Sequence, residues 1–334
     1  MTDIYRRNLL AFITGAALAP GLARAQPAWR PTRTVTVVVP YPAGGPTDVI
    51  GRIVARELQS GFGAGASVIV ENQAGASGAI GTRRVARAEA DGHTLIVSTN
   101  QTHATNISVL KDGGGYDPVK DFAPLGGLAD VQHLVVVRPG LEAASIPELV
   151  ALAKQKGAAG VKLTCASTGL GAASHLAMEL FKARTGTDFV HVPYRGSAPL
   201  LQDLLGERVD LSFATVPTVL GQVQGGTLRA LAVASRDRSV HLPDLPTLAA
   251  VGVEGVEADA WIAAFAPAGV APAIRETCRA ILAVALARPE VAAEIARQGA
   301  NPNWREPDAF GVFQREDVRR WADIVKAANI VERP

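Results

Sequence analysis

Residues 37–52, "VVVPYPAGGPTDVIGR", pass from strand residues to helical periodicity without a linker, and the reading of this handover decides the fold. The β-branched run 37–39 suits a buried strand. Pro40 and Pro42 cannot extend its hydrogen-bond ladder, and Gly44 and Gly45 make the turn pliable. Pro46 is suited to the first helical position and Gly45 to the N-cap. Val49, Ile50, Ile53, Val54 and Leu58 then recur at helical spacing. A strand that hands over so abruptly to an amphipathic helix is the repeating unit of a layered α/β sheet.

The same order recurs along the chain. "ASVIVEN" (66–72) leads through "QAGASG" to the helical "AIGTRRVARAEA", and "HTLIVSTN" (93–100) precedes "KDGGGYDP", which reads as loop. "HLVVVRPG" (133–140) begins a second series. In it Ser145 and Pro147 open a helix, "VKLTCAS" forms a strand that enters "HLAMELFKARTG" through "TGLGAAS", and a further strand lies at "LRALAVAS" (228–235). The Pro-rich "LPDLPT" (242–247) reads as a return connection, followed by mostly helical sequence. The expected fold is α/β in two lobes with parallel sheets and a ligand cleft between them. Lobe 1 takes residues 26–127 and 236–334, and lobe 2, inserted in it, takes 128–235. Ligands of such sheets lie beyond the C-terminal strand ends, where helix N-termini present free N–H groups.

Composition bounds the function. The 334 residues, 48% apolar, suffice for two cores. Arg6 and Arg7, the apolar run 9–18 and Ala23-Arg24-Ala25 read as an export signal over residues 1–25, Sec in preference to Tat. The apolar run is too short for a membrane span. There are 33 lysines and arginines against 31 aspartates and glutamates, and removal of Arg6, Arg7, Arg24 and Asp3 equalises them. Nothing in that balance attracts nucleic acid or an anionic membrane. Cys165 and Cys278 fall in different lobes and are expected as buried thiols.

"PYPAGGPTDVIGRIVAREL", "VIVENQAGASGAIG", "ADGHTLIVS", "STGLGAASHLAMELF", "HVPYRGSAPLLQDLLGERVD", "LRALAVAS" and "LPDLPT" occur in the order and rough spacing of the Bug family, the TctC-like solute-binding proteins of tripartite tricarboxylate transporters. The chain resembles that family from about residue 33 to its C-terminus. The resemblance implies a periplasmic binding protein of the Venus-flytrap kind, type II-like. Such a protein captures a small carboxylated solute (a di- or tricarboxylate, an amino acid or an aromatic acid) and passes it to membrane permease subunits. Two departures stand out: Ala250 in "PTLAAVG", where the family usually has glutamate, and "GVAP" in place of "GTP".

The candidate ligand residues follow from the turns and the resemblance together. In the first lobe they are Tyr41, Ala43, Gly44, Gly45 and Asp48, then Gly75 and Ala76, then Ser98, Thr99 and Asn100. Absent side chains at Gly44 and Gly45 would let a carboxylate approach backbone N–H groups. Asp48, at the third helical position, is expected to organise its loop. In the second lobe Ser167, Thr168, Gly169 and Gly171 enter a helix beginning near Ala172, with a hydroxyl N-cap as the plainer alternative, and "PYRGS" contributes Arg195 and Gly196. Arg195 either grips a carboxylate bidentately or pairs with a surface acid. His175 reads as a structural histidine and not a metal ligand.

No cofactor and no metal are expected, and the chain is expected to be monomeric. An enzyme is disfavoured: G-x-S-x-G, a Walker loop, H-E-x-x-H and C-x-x-C do not occur, and "GFGAG" (61–65) precedes a strand instead of following one. A protein that reports its liganded state to a membrane sensor would share the fold and the cleft, so sequence leaves that alternative open.

Overall fold

A computed structural model describes residues 29–328 and Ile330; the expected export signal lies outside them. β1 (Val35–Val39) hands over to α1 (Pro46–Phe62), β2 (Val68–Asn72) to α2 (Ala79–Ala86), and β3 (Thr94–Thr99) to a π-helical turn, Gln101–Thr105, that continues as α3 (Asn106–Val109). β4 (Phe122–Val131) is separated from β5 (His133–Val137) by Gln132 alone. There follow α4 (Ile146–Ala158), β6 (Leu163–Ser167), α5 (Ala173–Thr185), β7 (Phe189–Pro193), α6 (Ser197–Leu205), β8 (Leu211–Thr215), α7 (Val216–Gln224) and β9 (Arg229–Val233). The chain closes with β10 (Ala260–Pro267), α8 (Pro272–Ala287), α9 (Pro289–Arg297), β11 (Asn301–Arg305) and α10 (Pro307–Ala327).

Two sheets result. The first has the order β11-β4-β10-β3-β1-β2 and the second β7-β6-β8-β5-β9. β1 is parallel to β2 and β3, and β6 to β7 and β8, as the strand-turn-helix units require. Both sheets are nevertheless mixed, contrary to the parallel layers expected from sequence. β10 runs antiparallel to β3 and β4, and β5 runs antiparallel to β8 and β9. The sequence after residue 247 is mostly helical as expected, in α8, α9 and α10, but sequence reading missed β10 within it. Seven consecutive residues of "AWIAAFAP" are buried, and a fully buried apolar run carries no period that separates strand from helix.

The chain changes sheet at two places. The first is Gln132. On the return, residues after β9 stay beside the second sheet, since Val233 N donates to Pro246 O and Leu248 N to Val233 O. Ala258 N donates to Ala234 O, and β10 enters the first sheet where Ala260 pairs with Val131.

Local chemistry explains the element ends. Ser145 caps α4 by accepting from Glu148 N (3.4 Å), while the Glu148 carboxylate accepts from Ala144 N (2.8 Å), a reciprocal capping box. "KDGGGYDP" holds a short 3₁₀ turn whose residues 112–114 all have left-handed backbone. Cys165 and Cys278 are free and buried. Among the described residues no helix is long and apolar enough to cross a membrane.

Candidate functional site

Loops after β1, β2 and β3 meet loops after β6 and β7 across the gap between the sheets. Ser77 Oγ donates to Leu170 O (3.2 Å), Gln101 Nε2 to Leu170 O (3.5 Å) and Thr105 Oγ1 to Gly171 O (2.8 Å). A Cβ on Gly196 would lie 3.5 Å from Pro42 Cγ. Both sheets therefore converge on one place through the C-terminal ends of their parallel strands.

The first turn is built as its sequence suggests. Gly45 is the extended N-cap of α1 and Pro46 opens the helix. Asp48 is buried, and its Oδ2 accepts from Gly44 N (2.9 Å) and Arg52 Nε (3.1 Å) while its Oδ1 accepts from Asn72 Nδ2 (2.9 Å). Burial pushes its pKa up, but the hydrogen bonds from Gly44, Arg52 and Asn72 outweigh this and hold the carboxyl below its usual range. Asp48 thus braces the loop, and the Gly44 N–H is already engaged. Gly44 has φ +82°, and a Cβ there would meet nothing within 4 Å, so the backbone angle is what calls for glycine. Ala43 is exposed. The first-turn N–H groups of α1 have no partner within the helix.

The second turn is left-handed from residue 75 to 78. Gly75 and Gly78 adopt positive φ freely, whereas Ala76 (φ +46°) and Ser77 (φ +53°) do so under strain. Asn106 Nδ2 donates to Ser77 O (3.0 Å), which fixes the turn. A cavity of about 240 Å³ lies behind it, with Ala76, Arg83 and Gly114 in its wall. In the third loop only Thr99 is partly open. Its Oγ1 lies 2.7 Å from Tyr41 Oη and accepts from Gln101 N (3.2 Å). Burial pushes the Tyr41 phenol up, which keeps it a neutral donor. Ser98 is enclosed and bonded to Thr102 Oγ1, and the buried Asn100 is turned towards Asp259 O (3.5 Å).

In the second lobe the hydroxyl N-cap, the plainer alternative for this turn, is absent. The N-cap of α5 is Ala172, without a side-chain cap, and the hydroxyl comes from inside the helix, where Ser174 Oγ accepts from Thr168 N (3.1 Å). Ser167 Oγ, itself buried, accepts from Gly169 N (3.3 Å), and His175 Nδ1 accepts from Gly171 N (3.2 Å). Three N–H groups of this turn therefore point into their own lobe. His175 is a structural histidine as expected, and it stacks on His191 at 4.0 Å and 3°. Arg195 is exposed, and Gly196 (φ +101°) is the N-cap of α6.

Sequence reading missed Ser77, Gln101, Thr105 and Leu170, all at this junction. It also missed His191, 2.6 Å from Ser167 Oγ, and the Thr215–Thr218 hydroxyl pair (2.7 Å) where β8 enters α7. Polar residues at or just after a strand end were the available signal for Gln101 and Thr215. A second cavity, about 420 Å³ and lined by Val223, Ala230 and residues 241–245, lies at the outer edge of the second sheet, away from these strand ends. Among the described residues no group of three or more His, Cys, Asp or Glu could hold a metal ion.

Comparison with known proteins agrees with this architecture. Residues 50–330 match the family described as tripartite tricarboxylate transporter family receptor (TctC). The chain is 37% identical over 296 residues to protein BugT of Bordetella pertussis, covering 89% of each chain. Rpa4515 of R. palustris, solved with adipate, superposes with a TM-score of 0.84 at 36% identity, over 90% of this chain and 98% of that one. The periplasmic binding protein BugD gives 0.82 at 34% identity, over 90% of this chain and all of that one (100%). Family match, relatives and superposition together place the chain in the tripartite tricarboxylate transporter receptor family, the Bug or TctC-like proteins.

Proposed function

We propose that this chain is an exported periplasmic receptor that captures a small carboxylated solute between its two lobes and presents it to the membrane permease of a tripartite tricarboxylate-type transporter. The convergence of strand ends from both sheets on one gap carries this reading. The first-turn N–H groups of α1, without partners inside their helix, are main-chain donors of the kind that holds a carboxylate. Thr99, Thr168 and the exposed Arg195 add hydroxyls and one positive charge. Asp48 builds the loop and does not itself meet the solute, because both of its oxygens are engaged. Adipate bound by Rpa4515 makes a linear dicarboxylate the first ligand to try. The lobes, residues 26–127 with 236–334 and residues 128–235, close over the ligand, which shifts the population towards the closed form.

A thermal-shift screen of mono-, di- and tricarboxylates against the mature protein tests this, followed by calorimetry on each positive. A ligand present well above its dissociation constant raises apparent stability. One-to-one binding without product formation is expected. A screen in which no carboxylate raises the melting temperature, or one in which a bound acid is converted, overturns the reading.

A further inference from the structure

The turn at residues 168–171 shows the first lobe its carbonyls. Three of its four N–H groups are held from behind: Thr168 N by Ser174 Oγ, Gly169 N by Ser167 Oγ and Gly171 N by His175 Nδ1. Gly171 N–H shares a planar trans peptide with the Leu170 carbonyl, so drawing the N–H into the second lobe turns that carbonyl outwards, while the Gly171 carbonyl shares its peptide with Ala172 N–H, which donates to Gly169 O (3.2 Å). The outward carbonyls of Leu170 and Gly171 receive Ser77, Gln101 and Thr105 from the first lobe. We infer that these two carbonyls and three donors are the latch of the closed state, and that His175, supported by His191, is the positioning residue that keeps the Leu170 carbonyl aimed. The inference rests on the reading of this protein as one whose lobes close on a solute.

The hydrogen-bond pattern fixes the protonation the latch requires. His175 Nδ1 accepts from Gly171, so its ring proton is on Nε2, on the side of Glu179 Oε1 at 4.0 Å. Ser167 Oγ donates to Gly169 O (3.1 Å) and accepts from Gly169 N, so it takes a second proton from His191 Nε2. The His175 ring is thus neutral, and face-to-face stacking at 4.0 Å favours the same state in His191. Burial acts the same way, pulling the two histidines down to about 3 and about 4. The latch is also reversible by construction. Thr105 Oγ1 lies 3.0 Å from Gln101 O as well as 2.8 Å from Gly171 O, so its hydroxyl has a partner whether the lobes are together or apart. Opening therefore strands no buried donor at Thr105, and the net contribution of that contact stays small.

Variants at both ends of the latch test it. In His175→Leu the Gly171 N–H loses its acceptor, and adipate affinity is expected to fall about tenfold. His175→Asn, whose amide oxygen can stand in for Nδ1, is expected to restore it. Thr105→Val, nearly isosteric, removes a donor from the opposite lobe. It should weaken binding on its own, and its loss combined with that of His175→Leu should fall short of the sum, since the two variants act on adjacent contacts of one latch. Two readouts need no ligand: amide exchange at Gly171, expected to accelerate in His175→Leu and not in Thr105→Val, and lobe separation by small-angle scattering, expected to increase in both. Unchanged exchange and lobe separation in His175→Leu, or losses that His175→Asn does not rescue, overturn the latch. Failure of the wild type to bind adipate or any other carboxylate would overturn the ligand reading alone, with the exchange and scattering results still deciding the latch.

Discussion

At the scale of single residues, the first turn depends on one carboxylate and one backbone angle. Asp48→Ala would leave Gly44 N–H, Arg52 and Asn72 without their common acceptor. Loss of a buried charge-assisted network of this kind costs about 2–3 kcal/mol, so we expect a lower melting temperature together with weaker ligand binding. Gly44→Ala is expected to cost about 1–2 kcal/mol through φ +82° alone, because nothing crowds the added methyl; chemical denaturation measures it. Arg195→Ala, at an exposed position, is expected to weaken carboxylate binding less than tenfold by calorimetry and to leave stability unchanged. A much larger loss would show that the guanidinium, and not the main chain, is the anchor.

At the scale of elements, what was legible in the sequence is what glycine, proline and capping residues punctuate. The handover at residues 40–46 and the N-cap at Ser145 could be read directly, and Ser145→Ala is expected to cost about 1 kcal/mol in denaturant titration without changing ligand affinity. β10 could not be read, because an alanine-rich buried run looks the same as helix or strand. The histidine pair could not be read either. His191 reaches Ser167 only because β7 lies parallel to β6 with His191 opposite Cys165, and such registers are not local information. The pair has a measurable signature in α5 and β7. Unfolded histidines titrate near 6.5, whereas burial holds these two at about 3 and about 4 in the folded protein. Glu179 and Lys182, themselves ion-paired at 3.0 Å, are the charged groups beside them. The folded state therefore resists protonation that the unfolded chain accepts. Stability from the pair is complete above pH ~6.5 and is lost as pH falls towards 4 and below. Replacing both histidines by uncharged residues should flatten that acid limb in melting curves taken across this range.

At the scale of the whole molecule, the return crossing carries a carboxyl of the opposite kind. Asp259 immediately precedes β10, accepts from Ser235 Oγ, and is pushed up to about 6, chiefly by burial and then by Asp130 and Asp237, against the effects of Ser235 and Arg320. Its unfolded value is near 3.9. The folded state favours the protonated acid, so this contribution is fully present below pH ~4 and is lost as pH rises through about 6. At pH 8 the ionised group costs about 2 kcal/mol after allowance for its partial exposure. Asp259→Asn is accordingly expected to raise the melting temperature at pH 8 and to leave it nearly unchanged at pH 4. Equal effects at both values would remove the charge as the cause.

The two crossings stand side by side. Val131 and Ala260 pair in one sheet, and on the far side of Gln132 and Asp259 the chain continues as His133, whose carbonyl accepts from Ala234 N. In the proposed closure, adjacent pins of this kind would resist sliding and separation and leave rotation as the soft coordinate, as in a door hung on two hinges. The permease proposed above would then be offered a single angle. It would read whether the door is shut, and the identity of what lies behind it would be settled before that partner arrives.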